Sequence, residues 1–307
     1  MLRSICSYGP SHVTEVILVP IPAQLSAALS AYAGLWQADA TDVDIDAVFA
    51  PGFTDHRPGA DGAGVAEFRE HRTMALGALN NLSARYEPIA AEGSRLAAHA
   101  TVTGVHSGEF LGVAATGRTV SWREVHLFDI REGRIAGHWM DAALLAAYLQ
   151  LTGQGQPDTE PPRPVPSGLS RSYTTAEQQA PLDAYTSMVA GHDASAATQL
   201  YTDDYLQHGP FGPNVTRDEF EAGNRDIVWK AMPDISIQLD PFLADGELVA
   251  YRGLGQGTHT GAELFGIPPA GQHVTFTETH IIRLRGARVC EHWLQVDLLG
   301  LLSQLQS

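Results

Sequence analysis

Two carboxylate–imidazole pairs carry the chemistry that can be read from this chain: Glu124 with His126, and Glu278 with His280, each pair two residues apart in an apolar run. Twelve positions after each of these histidines stands a second one, directly before a tryptophan: His138-Trp139 and His292-Trp293. Alternate residues of a strand share a face, so each pair can point into one cavity. In an apolar cavity a carboxylate's affinity for protons rises, while a carboxylate beside an imidazole can hold it charged. Groups tuned in this way perform general acid/base catalysis. The same spacing also suits a polar rung that only satisfies the backbone. Two further histidines, His56 and His208, occupy equivalent places, with Asp55 beside the first and Gln207 beside the second. They are expected in the loop that follows the first helical region. His106 and His259 stand in GVHSGE and GTHTGA and are expected to cap turns. Neither an HExxH run nor paired Cys-His spacing occurs, so the sequence predicts no metal.

The elements that position these groups occur twice. TVSWREVHLFDIREGRIAGHWMD at 119–141 recurs as HVTFTETHIIRLRGARVCEHWLQ at 273–295, and the correspondence extends back to VFAPGFTDHRPG at 48–59 and LYTDDYLQHGPFG at 200–212. Between the copies runs GQGQPDTEPPRPVPSG, whose Pro and Gly mark a linker. The pattern divides the chain into an extension at 1–20, a domain at 21–152, a linker at 153–175 and a second domain at 176–307. Leu25, Leu29, Tyr32 and Trp36 recur at helical spacing and predict a helix over 22–38. Val65, Phe68, Arg72, Leu76 and Leu79 predict a second one, and in the later copy Thr216 with Glu219 forms a capping box before it. Strands follow at about 82–90, 94–106, 119–130 and 134–141. Helices first and an antiparallel meander after them make an α+β cone, open at one end and lined by alternate strand residues.

The chain has 307 residues, 44% of them apolar, which suffices for two cores. Its net charge of −16 excludes the positive surface that nucleic acid requires and opposes binding to anionic membranes. Two distant cysteines, Cys6 and Cys290, outline no disulfide framework, and the first 20 residues lack the apolar length of a signal peptide or a span. A cytoplasmic protein is expected.

TDDYLQHGP, AMPDISI, GTHTGAELFGIPPAGQHV, TETHIIRLRGARVCEHW and VDLLGLLSQL in the second copy, and VHSGEFLGVAATGRTV, REVHLFDIREGRIAGHW and DAALLAAYLQL in the first, resemble the SnoaL-like polyketide cyclase (ester cyclase) family of the nuclear transport factor 2-like superfamily. The resemblance implies two tandem cone-shaped domains. It also implies a cofactor-free intramolecular aldol closure, with an aspartate on the last strand as acid/base and a histidine on the preceding strand, here His126 or His280, holding the enolate. The aspartate position is occupied by Met140 and Leu294. Asp141 stands one residue on, and a one-residue step on a strand turns the side chain to the other face unless a bulge intervenes.

The leading expectation is a cyclase acting on a hydrophobic, carbonyl-bearing intermediate of secondary metabolism. Its catalytic groups are drawn from Glu278, His280, His292 and His208 in the second cone and Glu124, His126, His138, His56 and Asp55 in the first. Trp229, Tyr251, Arg252, Phe276 and Leu294, with Tyr32, Trp36, Trp122 and Met140, are expected to line the substrate. Dehydration or epoxide opening on the same groups is an alternative, and a silent ligand- or partner-binding module is another, favoured if bulky aromatics seal the interiors. Family members commonly pair sheet to sheet, so the two halves are expected to form an internal pseudo-dimer with Trp139 and Trp293 near the interface, and whole chains could pair further. The second copy keeps more of the family pattern and is expected to be the working cone if only one works.

Overall fold

The computed structural model describes residues 21–157, 173–210 and 212–307. The N-terminal extension and most of the linker lie outside these residues.

The first half opens with α1 (Ala23–Gly34), which buries Leu25, Ala28, Leu29 and Tyr32 and stops short of Trp36. A second short helix, α2 (Asp42–Val48), is closed at its start by Thr41 and Asp44, each accepting from the other's backbone N–H. The segment expected to be a loop then forms β1 (Phe49–Arg57) and β2 (Ala60–Ala63). After these come α3 (Val65–Ala78), β3 (Leu79–Glu92), β4 (Arg95–His106), β5 (Thr119–Arg131), β6 (Arg134–Ala142) and α4 (Leu144–Leu151). The buried face of α3 is Phe68, Ala75 and Ala78. It does not follow the predicted line through Arg72 and Leu76, because Leu79 already belongs to the sheet. His71, three residues after Phe68 and four before Ala75, therefore stands on the inner face. Arg72 instead donates to the carbonyls of Leu35, Gln37 and Ala40 and ties α3 to the turn after α1.

The second half repeats the plan with α5 (Thr175–Gly191), α6 (Ala197–Leu200), β7 (Tyr201–Gly209), β8 (Gly212–Thr216), α7 (Arg217–Gly223), α8 (Trp229–Ala231), β9 (Ser236–Asp245), β10 (Leu248–Thr258), β11 (His273–Arg285), β12 (Arg288–Val296) and α9 (Leu298–Leu305). Thr216 and Glu219 make the capping box that the sequence predicts.

Each half holds one six-stranded sheet, ordered β2-β1-β6-β5-β4-β3 and β8-β7-β12-β11-β10-β9. The antiparallel meander is as expected, but β1 runs parallel to β6 and β7 parallel to β12, so each sheet is mixed. This parallel pairing sets Asp55 beside His138 and Gln207 beside His292.

The halves pack convex face to convex face. Ala90, Ala97, Val125 and Leu127 of the first sheet meet Leu243, Leu248, Ala250, Ile281 and Trp293 of the second in one apolar cluster. Trp139 packs edge to face on Phe242 at 5.3 Å, so both tryptophans lie at the interface as expected. Arg95 donates to the Phe242 carbonyl, and the Ala244 N–H donates to Glu92 at 2.9 Å. Among the described residues no helix is long and apolar enough to cross a membrane.

Asp141 lies in this interface. No bulge separates it from Met140, so it faces outward, away from the cone, and accepts hydrogen bonds from Thr277 (2.5 Å) and Thr279 (2.6 Å) of the second domain. Burial raises its carboxyl pKa to about 7, against the two threonine bonds that lower it. A carboxyl raised in the fold adds stability that is full below its unfolded value and is lost as pH rises through about 7. Asp141→Asn is therefore expected to stabilise the chain by a few kcal/mol above neutrality (about 1.4 per pKa unit), with the gain vanishing in acid. Thermal unfolding of both proteins across this pH range checks it.

Candidate functional site

Inside the first cone the buried polar groups form a continuous chain. Asp55 Oδ1 lies 2.9 Å from His138 Nδ1, His138 Nε2 lies 2.9 Å from His126 Nδ1, and His126 Nε2 lies 3.0 Å from Glu124 Oε2. The Trp122 indole N–H donates to Glu124 Oε1 at 2.8 Å, and Arg57 Nε donates to Asp55 Oδ2 at 2.9 Å. Strand geometry explains the order. Glu124 and His126 share the inner face of β5, His138 stands diagonally across on β6, and Asp55 lies beside it on the parallel strand β1. The two imidazoles lie edge to edge and nearly coplanar, with 12° between their planes, and the rings of Phe128 and Tyr32 lie against His138.

Burial raises the proton affinity of Glu124, but the bond and charge of His126 and the Trp122 N–H more than reverse this and hold the carboxyl below its usual range. Asp55 is likewise desolvated and is held low by His138 and Arg57. Burial lowers His126, and Glu124 opposes that shift.

Glu124 is where this chain reaches open space. A cavity of about 220 Å³ is bordered by Glu124, Trp122, Trp36 and Met140, together with Tyr86, Phe110, Leu111, His71 and Arg57. Its walls are mostly apolar, and four titratable side chains, Glu124, Arg57, His71 and Tyr86, border it. Of the expected lining, Trp36, Trp122 and Met140 border the cavity, whereas Tyr32 is buried behind the chain in contact with His126, His138 and Phe128. His71, which burial lowers to about 4, and Tyr86 were not singled out from sequence. The 68–71–75 spacing on α3 would have placed His71 on the inner face.

The second cone repeats the chain with one change. Glu278 Oε2 lies 3.0 Å from His280 Nε2, and His280 Nδ1 lies 2.9 Å from His292 Nε2. His292 Nδ1, however, meets the Tyr205 hydroxyl at 2.9 Å in place of a carboxylate. Gln207, the register equivalent of Asp55, is buried. Burial then goes unopposed and raises Glu278 to about 8 while lowering His280 to about 3. Here Trp229, Tyr251, Phe276 and Leu294 are core rather than lining, packed with Tyr185, Tyr201 and Tyr205. Tyr251 stacks on His280 at 4.4 Å, and Trp229 on His192 at 5.4 Å.

Three expected site residues lie on the other face. His56 is in strand β1, not in a loop, and period-2 alternation turns it away from Asp55 to stack on Trp139 and bond Asp61. His208 is buried on the matching face of β7, 3.0 Å from Glu291. Arg252, next to the inward Tyr251, borders a groove between the halves. His106 and His259 bond Thr116 Oγ1 and the Ala262 carbonyl within their own loops, as turn-capping requires.

Removing one partner of a buried charged set leaves the others uncompensated. Asp55→Ala is therefore expected to cost about 3–5 kcal/mol in urea unfolding. His56→Ala, whose partner Asp61 is 80% exposed, is expected to cost no more than about 1.5 kcal/mol, chiefly from the lost stacking.

With this geometry in place, one comparison with known proteins assigns the family. The profile of the SnoaL-like polyketide cyclase family matches twice, over residues 26–151 and 180–305. Among solved structures, wild-type IdmH from Streptomyces antibioticus is 24% identical, the match covering 42% of this chain and 99% of that one with a TM-score of 0.38. AclR from Streptomyces galilaeus is 25% identical, covering 45% and 85%, with a TM-score of 0.39. TsrD from Streptomyces laurentii is 21% identical, covering 44% and 98%, with a TM-score of 0.39. No curated protein matched the chain. Since the two profile matches together span most of its residues, the chain belongs to the SnoaL-like polyketide cyclase family as a tandem of two family domains.

Proposed function

We propose that the first cone is a cofactor-independent cyclase site, in which Glu124 moves a proton on a hydrophobic, carbonyl-bearing substrate and the second cone serves as its folded partner. One observation carries the reading: Glu124, held ionised by a buried hydrogen-bonded chain, is the carboxylate that faces an otherwise largely apolar cavity. An apolar ligand entering that cavity would displace water from Glu124, and desolvation of a carboxylate strengthens it as a base. Glu124 would take the proton from a carbon next to a carbonyl. The electron pair of that C–H bond becomes an enolate, whose oxygen Arg57 or neutral His71 can receive as hydrogen-bond donors across the cavity. The enolate carbon then bonds to a second carbonyl carbon of the same molecule, and Glu124 returns the proton to the oxygen released there. A C–H bond and the π bond of the second carbonyl break, a C–C and an O–H bond form, and the atoms balance without any co-reactant.

The same proton movements would support dehydration, which product mass separates from ring closure by the loss of one water. Epoxide opening would need an oxirane in place of the carbonyl.

The position of Met140 favours Glu124 over the last-strand aspartate of the family. Met140 borders the cavity without a titratable group, and Asp141 points into the interface. The test requires no natural substrate. Deuterium uptake at the α-carbon of aryl ketone probes is expected to be accelerated by the full chain and to fall a hundredfold or more in Glu124→Gln, the scale of a true acid/base group. Glu278→Gln is expected to leave it unchanged. Because Glu124 is held low, exchange should persist as pH falls through the ordinary glutamate range. Loss of exchange in the Glu278 variant alone would move the working site to the second cone, and exchange retained in both would remove acid/base chemistry from the cones.

A further inference from the structure

We propose that Asp55 is the positioning residue that keeps Glu124 in its proton-accepting form: acting through two imidazoles, it makes the His126–His138 pair carry one positive charge. This rests on the reading of Glu124 as the base. The geometry that supports it is a count of hydrogens. Three contacts link the chain, Asp55 to His138, His138 to His126, and His126 to Glu124, at 2.9, 2.9 and 3.0 Å. Each is a hydrogen bond only if it contains one proton. All four ring nitrogens are engaged, so two neutral imidazoles supply two protons and leave one contact as two facing lone pairs. Buried groups do not tolerate that arrangement, and the chain must hold a third proton.

Where the third proton resides depends on the far end. In the first domain the far end is a carboxylate, itself paired with Arg57 at 2.9 Å. With the extra proton on the imidazoles, Glu124 and Asp55 are both anionic, the pair is cationic between them, and Arg57 balances the remainder. The net charge of the five groups is zero, and every contact is a charge-assisted bond. The second domain has the same glutamate and two histidines in the same order at matching distances, but ends at the Tyr205 hydroxyl. There the three contacts are filled without any charge when Glu278 keeps its proton, both imidazoles are neutral, and the tyrosine oxygen accepts from His292. A cationic imidazole pair would face only one anion. The two domains thus form an internal comparison in which the far end differs, carboxylate against phenol, as does the near end, where Phe276 replaces Trp122 and offers the glutamate no donor; the two glutamates shift in opposite directions, Glu124 down and Glu278 up to about 8. The chain titrates as one unit, so the charge belongs to the pair rather than to either ring.

Nitrogen NMR of the full chain labelled with ¹⁵N-histidine tests this without any substrate, because ring nitrogens report directly whether they bear a proton. Near neutral pH, the His126–His138 pair, assigned by its loss in His126→Gln, is expected to carry three ring protons. The His280–His292 pair is expected to carry two. Asp55→Asn should bring the first pair to two, with Glu124 protonated, and Asp55→Glu should restore three. In ketone exchange the acid limb of the pH profile should move up in Asp55→Asn and return in Asp55→Glu, which lost stability alone would not produce. Two neutral imidazoles at His126 and His138 in the unaltered protein would overturn the proposal, and this outcome is available even if Asp55→Asn does not fold. So would a third proton that persists in Asp55→Asn. Neither result depends on whether Glu124 is the base, which the exchange rate of Glu124→Gln decides separately.

Discussion

The hydrogen bond between His126 Nδ1 and His138 Nε2 is the contact on which the candidate site depends. It joins two strands across the cone interior and, because an imidazole has only two nitrogens, it commits each ring to one further partner outward. His126 therefore takes Glu124, and His138 takes Asp55. Every other feature of the site follows from satisfying these bonds where water does not reach. Tyr32 and Phe128 cover the rings, Arg57 pairs the far carboxylate, and the near carboxylate is left at the cavity wall. A buried polar chain is stable only if complete, and this one is complete from Arg57 to Trp122.

The second domain shows how a chain of the same residues changes when its far end and its surroundings change. Its glutamate and histidines match those of the first, but the interior is packed with aromatic side chains and the far end is a phenol. Tyr251, stacked on His280, occupies space beside the ring. With a phenol in place of a second anion, burial drives Glu278 toward its neutral form. The retained family pattern GIPPAG and VDLLGLLSQL belongs to a loop and to the closing helix α9, elements of the fold away from the Glu278–His280–His292 chain.

Both faces of each sheet are buried, the concave face against helices and the convex face against the other half. This is why β5 and β11 are buried along most of their length although about half their residues are polar, and why polar residues on the convex side must also find partners. Asp141 finds the hydroxyls of Thr277 and Thr279, and His208 finds Glu291. Fusing two domains in one chain keeps this interface assembled independently of concentration, since linked partners meet at a high effective concentration.

The sequence by itself determined the duplication, the α+β cones, the four-strand meander and the inward placement of Glu124, His126 and His138, because all of these follow from period-2 alternation and from an apolar pattern written twice; the pairing of convex faces was expected from the family resemblance. It also separated Asp141 from Met140 by face. The β1 strand was not legible, since FAPGFTDHR contains Pro, Gly and few β-formers and is held as a strand by its parallel neighbour β6. Without that strand, Asp55 and His56 could not be assigned to opposite faces, and His71 was hidden in a helix whose register is set by what it packs on. That Glu124 borders an open cavity while Glu278 is packed among aromatic side chains was decided only by the tertiary structure. Similar aromatic and aliphatic residues occur in both copies, and whether they border a space or close it depends on how side chains from distant elements meet.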